Sequence, residues 1–242
     1  MTATTILFER MTPTDIEGAL TLSRQAGWPH RHEDWEMSLS VGKGVVGREG
    51  SRIVAIIMMT PYGTDAATIS LVLVRRTMRG RGLGRRLMQE ALDLAGNRTC
   101  YLVATEEGLP LYRKLGFVAT GEVVQHQGET GTVVPPDNVE WALHDDHDTL
   151  VALDRAANGH DRTDLMARLR GCARFAVIRD ATGVQAFCAI RDFGRGQVIG
   201  PVVARNVDQA RDLIAFHLAR NVGGFTRVDT DAASGLGPWL TD

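Results

Sequence analysis

The sequence predicts an α/β protein of the α+β kind, with a mixed and mostly antiparallel central sheet flanked by helices, followed by a second, smaller domain on the same plan. Three observations predict this fold class. Short branched apolar runs alternate with segments of helical periodicity, and tight turns join several of the apolar runs. The order strand, strand, strand, helix, strand occurs twice within the 242 residues. With 44% apolar residues, the chain can fill packed cores.

The first half begins with a strand over residues 6–10 and a helix. Thr12-Pro13 marks the helix start, and apolar side chains recur from Ile16 onwards. After Gly27 the regular pattern stops, and two tryptophans and two histidines occur within a few residues, which suits a loop that faces a substrate. The candidate substrate-binding residues here are Trp28, His30, Glu33 and Trp35. The alternative is that the tryptophans only hold this loop against the core.

The rest of the first half alternates strands with two helices. Glu49-Gly50-Ser51 is a tight hairpin signal, and apolar residues recur at helical spacing from Leu83 up to Gly96. The predicted strands cover residues 44–48, 52–60, 67–74, 100–104, 122–127 and 139–144, and the predicted helices cover residues 83–95 and 109–116. The first domain is predicted to span residues 1–145 and the second residues 146–242.

A basic, glycine-rich turn separates the third of these strands from the helix that follows it. The turn reads Arg79-Gly-Arg-Gly-Leu-Gly84. Its glycines have no Cβ, so the backbone can come close to a ligand. Successive amide N–H groups at a helix start, with the positive end of the helix dipole behind them, form an anion site. A pyrophosphate is the natural occupant of such a turn.

Two other interpretations of this turn are weaker. Six arginines lie between Arg75 and Arg86, so the segment could be a nucleic-acid patch or a solvated basic helix face. The formal net charge of the whole chain is −2, which leaves no basic excess to hold a duplex. An unstructured basic tail would not follow a buried strand. We therefore expect no nucleic-acid partner.

The turn resembles the acetyl-CoA signature of the GCN5-related N-acetyltransferases, the GNAT family. That signature is Arg/Gln-x-x-Gly-x-Gly/Ala after a strand that ends in Leu-x-Val, and Val72-Leu73-Val74 stands at the expected distance before Arg79. A second string, Leu111-Tyr112-Arg-Lys-Leu-Gly-Phe117, is similar to the family's Leu-Tyr-x-Lys-Leu-Gly-Phe. Thr105 stands where the family often has an asparagine. The resemblance implies a GNAT fold and acetyl-CoA as co-substrate.

The resemblance also implies roles for individual residues. The implied cofactor-binding residues are Val72, Leu73, Val74, Arg79, Gly80, Arg81, Gly82, Leu83, Gly84, Arg85 and Tyr112. The backbone N–H of Leu73 or Val74 would polarise the thioester carbonyl, and Tyr112 would protonate the departing thiolate. The region around Trp28 would line the acceptor pocket. The base that takes the ammonium proton stays open between a water chain, His30, His32 and Glu33.

The second half is predicted to repeat the architecture without the chemistry. Its elements are strands over residues 175–179, 184–191, 197–203 and 225–229, and a helix over residues 207–220. In place of the glycine triplet it has Gly200-Pro201, and proline removes a backbone donor, so we expect no ordinary CoA site here. This half resembles the C-terminal half of tandem acetyltransferases of the YitH type. The charged residues from Asp154 to Arg162 are either acceptor ligands or, more plausibly, a salt-bridge network.

The sequence thus indicates an acetyl-CoA-dependent N-acetyltransferase that acts on a primary amine of a small molecule by direct attack. The alternative is an acetyl-CoA-binding sensor or scaffold without turnover. No signal sequence is found and the apolar runs are too short to cross a bilayer, so we expect a cytoplasmic protein with no membrane partner. Neither the three separated cysteines nor the run from His144 to Asp148 predicts a metal site. The acceptor and the oligomeric state are not determined by the sequence.

Overall fold

Residues 5–241 are described in a computed structural model of the chain. The contacts divide the chain into two units between Val118 and Ala119. The strands are Ile6–Arg10 (β1), Lys43–Glu49 (β2), Arg52–Tyr62 (β3), Ala66–Val74 (β4), Thr99–Tyr101 (β5), Val123–Glu129 (β6), Glu140–Trp141 (β7), Arg174–Asp180 (β8), Gly183–Phe193 (β9), Gly196–Val203 (β10) and Phe225–Asp231 (β11). The helices are Ile16–Gln25 (α1), His32–Val41 (α2), Leu83–Ala95 (α3), Leu109–Lys114 (α4), His147–Asn158 (α5), Thr163–Arg170 (α6), Val207–Leu218 (α7) and Gly237–Thr241 (α8).

The first unit is built on a five-stranded sheet in the order β1-β2-β3-β4-β5. All neighbours are antiparallel except β4 and β5, which are parallel. Alternate residues of β3 serve two cores, because successive side chains of a strand point to opposite faces. Ile57 and Met59 pack with α3, whereas Ile56 and Met58 pack with α1 and with Trp35 of α2. Helices therefore cover both faces of this sheet.

The second unit has a six-stranded sheet in the order β6-β11-β10-β9-β8-β7. Strands β10 and β11 are parallel and the other pairs are antiparallel. Between β10 and β11 lies α7, whose Leu213 and Ile214 are fully buried in this core. The order β8, β9, β10, α7, β11 reproduces the order β2, β3, β4, α3, β5 of the first unit.

The boundary between the units differs from the one that the sequence predicts after residue 145. Strand β6 forms a seven-residue antiparallel ladder with β11, and β7 pairs with β8. Residues 119–145 therefore belong to the second unit. A strand's own sequence shows its periodicity but not its partner, so the sequence could not assign β6 and β7 to a sheet.

One helix and one strand of the first unit also differ from the sequence prediction. The segment that contains Glu33 and Trp35 was expected as loop, but it belongs to α2, which begins at His32. The strand expected over residues 100–104 is limited to β5, Thr99–Tyr101. Among residues 5–241, no helix is both long and apolar enough to cross a membrane.

The charged residues after Leu153 form a structural network. Asp154 is 1% exposed and accepts hydrogen bonds from Arg162 Nε at 2.9 Å and from Asn158 Nδ2 at 3.2 Å. Asp161 accepts from the backbone N–H of Thr163 at the start of α6 at 3.1 Å. In the segment from His144 to Asp148, the side chain of Asp146 accepts a hydrogen bond from Arg179 Nη2 at 2.8 Å. These contacts explain the acidic residues as helix caps and ion pairs.

Candidate active site

The end of β4 is distorted by a β-bulge. The register between β3 and β4 shifts between Ile56 and Met58, and on the opposite strand Leu71 has a φ of 53°. A branched residue in this left-handed region is strained, and bulges redirect a strand next to functional sites. The bulge immediately precedes Val72, Leu73 and Val74. Nothing in the sequence around Leu71 indicated the bulge, because leucine does not favour a positive φ.

Beyond the bulge, β4 separates from β5. The parallel ladder pairs Ala66, Ala67 and Thr68 of β4 with β5 and stops there, whereas β4 continues to Val74. Backbone groups on this side of β4 are therefore open to a ligand. The N–H of Arg75 donates to Val54 O at 2.8 Å, on the β3 side. Since successive N–H groups of an extended chain point to opposite edges, the N–H of Val74 faces the open side.

The glycine-rich turn leads from β4 into α3. Gly80 and Gly82 both have a φ of +76°, and a Cβ built on either would meet nothing within 4 Å. Gly82 is the N-cap of α3, and no side chain caps this helix. The first amide N–H groups of α3, including that of Leu83, thus have no intrahelical partner. Arg81 and Arg85 are exposed beside them, so the turn combines open space, free donors and positive charge. These features fit a pyrophosphate.

Gly84 and Leu83 both have packing roles, and that of Gly84 was not evident from the sequence. A Cβ on Gly84 would lie 3.2 Å from Leu111 Cδ2, so the absence of a side chain lets α4 approach α3. The Leu83 side chain is buried in the core, which leaves its backbone N–H as its ligand-facing group. The glycine pattern therefore serves helix packing as well as the turn.

Arg79 is held by two contacts. Its guanidinium forms an ion pair with Glu107, and its Nε donates to Val74 O at 3.4 Å. Glu107 lies just before α4, so this pair connects the turn to the helix that carries Tyr112. The sequence analysis did not select Glu107. The sequence feature that could have indicated Glu107 is the acidic pair Glu106-Glu107. This pair stands just before a predicted helix and could balance the arginines between residues 75 and 86.

Tyr112 lies on α4 with an exposed fraction of 8%. Its ring packs edge-to-face with Phe117 at 6.1 Å between centroids and covers Gly108, where a Cβ would lie 2.8 Å from the ring. No group among residues 5–241 forms a hydrogen bond with its hydroxyl. Burial raises the pKa of the Tyr112 phenol above its usual value, so the group is protonated at neutral pH. Thr105, by contrast, uses its hydroxyl to accept from the Gly108 N–H at 3.2 Å.

The predicted substrate-binding residues divide into an aromatic cluster and an exposed carboxylate. His30 lies between Trp28 and Trp35, at 5.7 and 5.8 Å between ring centroids. Its Nδ1 forms a 2.7 Å hydrogen bond with Ser23 Oγ. Trp35 is fully buried in the core below α1, so it supports the cluster and does not form the pocket wall that the sequence analysis expected. Trp28 and His30 are partly exposed, and Glu33 is exposed.

The corresponding helix start in the second unit is capped by a side chain. Asn206 caps α7, since its side chain accepts from the Gln209 N–H at 2.9 Å. Gln209 Oε1 in turn accepts from the Arg205 N–H at 3.0 Å. Side chains thus satisfy the Arg205 and Gln209 N–H groups, whereas no side chain caps the start of α3.

Comparison with known proteins identifies both units. The model of the acetyltransferase (GNAT) family matches residues 10–117, and an acetyltransferase (GNAT) domain model matches residues 150–241. The chain is 31% identical over 224 residues to the uncharacterized N-acetyltransferase YitH of Bacillus subtilis, which covers 88% of this chain and 78% of YitH. The chain belongs to the GNAT family. It is an acyl-CoA-dependent acyltransferase with two GNAT domains, and GNAT enzymes generally transfer an acetyl group from acetyl-CoA to amines.

Other GNAT proteins resemble the chain in sequence or in fold. The holothin acyltransferase of Pseudoalteromonas is 30% identical over 74% of this chain, which spans 62% of that enzyme. The crystal structure of an acetyltransferase from Pyrococcus horikoshii gives a TM-score of 0.82 at 20% identity, over 99% of this chain and 84% of that one. A tandem GNAT protein from the clavulanic acid pathway gives 0.68 at 18% identity, over 98% and 93%. The predicted fold and tandem organisation are confirmed.

Proposed function

We propose that the first unit transfers the acetyl group of acetyl-CoA to a primary amine of a small molecule by direct attack, with Tyr112 as general acid. One observation carries the proposal. The Tyr112 side chain is largely buried, and its protonated hydroxyl has no hydrogen-bond partner among residues 5–241 and lies on the helix that Glu107 connects to the cofactor turn. The hydroxyl therefore keeps its proton free to donate, and a departing thiolate would accept it.

Acetyl-CoA would be held by backbone and charge. The pyrophosphate would accept from the amides at the start of α3, where Gly80 and Gly82 leave room for it. Arg79, Arg81 and Arg85 would balance its charge. The backbone of Val72 and Val74 would pair with the arm of the cofactor along the open edge of β4, whereas the backbone of Leu73 faces Ile56 of β3. The direction of the Val74 N–H supports Val74, in preference to Leu73, as the donor to the thioester carbonyl oxygen.

The chemical step needs no covalent enzyme intermediate. The neutral amine forms a bond to the carbonyl carbon, and the Val74 N–H stabilises the negative charge that develops on the carbonyl oxygen. The carbon–sulfur bond then breaks, and the CoA thiolate takes the proton of Tyr112. The proton that the amine loses goes to water, His30, His32 or Glu33, between which the geometry does not choose. Trp28, His30 and Glu33 would face the acceptor, with Trp35 supporting them from the core.

The competing function is an acetyl-CoA-binding sensor or scaffold without turnover. Release of free thiol from acetyl-CoA, measured with a panel of amino acids, polyamines, aminosugars and amine drugs, separates the two. We expect amine-dependent thiol release with at least one acceptor class. CoA binding without thiol release above the amine-free rate across the whole panel would favour the sensor.

A further inference from the structure

A cavity of about 380 Å³ lies within the second unit, away from the start of α7. It is bounded by β7, the starts of α5 and β8, and the end of α6. Its wall includes the aromatic side chains of Trp141 and Phe175 and the basic side chains of His144, His147, Arg170 and Arg174. We call this cavity the basic cleft. Every ionisable residue that lines it is basic.

The two arginines of the basic cleft contact a histidine and a tryptophan. Arg170 Nη2 donates to a ring nitrogen of His144 at 2.6 Å, and the Arg174 guanidinium stacks on Trp141 at 3.6 Å from the ring centroid. Among residues 5–241 neither arginine forms an ion pair with a carboxylate. The nearby Asp146 is already engaged by Arg179 at 2.8 Å. In a chain of net charge −2, this positive charge stands uncompensated.

The stacking of Arg174 prepares it for an oxyanion. A guanidinium that lies flat on an aromatic face keeps its N–H edge free, and that planar fork matches the two oxygens of a carboxylate. Trp141 is itself fixed, because Phe216 packs against it at 4.9 Å and His217 at 5.4 Å between centroids. The fork of Arg174 is therefore held in one place before any ligand arrives.

His217 lies behind Trp141 and is a buried neighbour of the cleft wall. This histidine is 1% exposed, and its Nε2 has no hydrogen-bond partner. Burial, and to a lesser degree the charges of Arg220 and Arg174, lower its pKa to about 4. His217 therefore stays neutral at pH 7 and adds no charge of its own behind Trp141.

We propose that the basic cleft binds a small planar organic carboxylate, with Arg174 and Arg170 on its oxygens, Phe175 against its flat body, and Trp141 holding Arg174 in place. A bare phosphate shares the oxyanion chemistry but would use only part of a cavity whose volume lies in the range of small-molecule sites. The proposal concerns the second unit alone and does not depend on the transferase reaction.

The test is a titration of the full-length protein, followed by the indole N–H resonance of Trp141. The probes are benzoate, benzamide, which has the same shape without the charge, and inorganic phosphate. We expect benzoate to shift the Trp141 signal saturably, benzamide to leave it unchanged, and phosphate to bind more weakly than benzoate. Arg174→Met and Arg170→Met should each weaken benzoate binding at least about tenfold, as expected for the loss of a charge-assisted contact.

Arg168→Met is the matched control, because Arg168 is exposed on the same helix as Arg170 but does not line the cleft. It should leave benzoate affinity unchanged. Arg174→Lys keeps the positive charge without the planar guanidinium, so its benzoate affinity should lie between those of Arg174→Met and the parent. No saturable shift of Trp141 with benzoate would overturn the proposal. Equal binding of benzamide, tighter binding of phosphate than of benzoate, or an equal loss in Arg168→Met would overturn it as well.

Discussion

Removal of the Tyr112 hydroxyl tests the proposed catalytic role separately from cofactor binding. Tyr112→Phe keeps the ring that packs on Phe117 and Gly108 but removes the proposed proton donor. Loss of general acid catalysis costs about 10²- to 10⁴-fold in rate, whereas loss of one hydrogen bond costs about 0.5–1.5 kcal/mol in affinity. We expect turnover to fall at least about a hundredfold, with acetyl-CoA affinity within about tenfold of the parent.

Turnover of Tyr112→Phe is to be measured under conditions in which chemistry is rate-limiting. A thiolate is a fairly good leaving group and could take its proton from water. If the variant stays within about threefold of the parent, Tyr112 is not the acid, because that effect lies below the usual range for this role.

A substitution at Gly82 tests the cofactor turn, again at the scale of a single residue. Gly82→Val should abolish CoA binding, because a branched side chain would enter the open space where the backbone meets the pyrophosphate. The left-handed φ of +76° also strains any other residue, by roughly 1–2 kcal/mol. Calorimetric titration with CoA measures the first effect, and urea unfolding measures the second.

Gly159 offers a matched control for that strain. It caps α5 with a φ of 73° and a ψ of 3°, against 76° and 2° at Gly82, and its Cβ position is also open. Gly159→Val should lose similar stability and keep full CoA affinity. Unchanged CoA affinity in a folded Gly82→Val protein would refute the assignment of the turn.

At the scale of elements, two helices in equivalent positions differ in their first turn. Helix α3 begins at an uncapped glycine, whereas α7 begins at Asn206, whose side chain occupies the Gln209 N–H. An anion therefore meets an uncapped first turn at α3, whereas at α7 the Gln209 N–H is already taken by Asn206. We expect calorimetric titration of the intact chain to give one CoA per chain.

The double variant Gly82→Val and Gly84→Val, with its folding checked by circular dichroism, should bind no CoA. Two equivalent sites in the parent, or one site that survives in the double variant, would show that α7 or the turn at Pro201 holds CoA after all.

At the scale of the whole molecule, His217 links stability to pH. Its folded pKa of about 4 lies below the usual value of about 6.5 in an unfolded chain. The unfolded state therefore binds more protons, and stability is full above pH 6.5 and falls as the pH drops towards 4. From about pH 7.5 to about pH 5 we expect the free energy of unfolding to fall by about 2 kcal/mol.

Urea titrations of His217→Leu at both pH values should show most of this dependence removed. His32→Gln, which changes an exposed histidine, should retain it. The pKa values of Asp15 and Asp146 are lowered by hydrogen bonds and arginine charges, and their contributions are lost only near and below their ordinary pKa, outside this window. An unchanged pH dependence in His217→Leu would show that the buried histidine is not its source.

The sequence by itself determined the fold class, the tandem repeat, the strand-turn-helix of the cofactor site and the position of Tyr112 on a short helix. Each depends on local signals: apolar periodicity, glycine spacing and turn chemistry, which act within a few residues along the chain. The GNAT signatures are of the same local kind. The roles of the site residues, beyond their positions, stay predictions.

Only the tertiary structure decided which sheet takes β6, that Trp35 is buried, that Leu71 forms a bulge, and that Glu107 pairs with Arg79. These features depend on partners that are distant in sequence. Strand β6 pairs with β11, and Thr130, directly after β6, contacts Thr226 of β11, which lies 96 residues further along the chain. A strand or an aromatic residue has the same local pattern whichever surface covers it, so its partner is fixed only when the cores close.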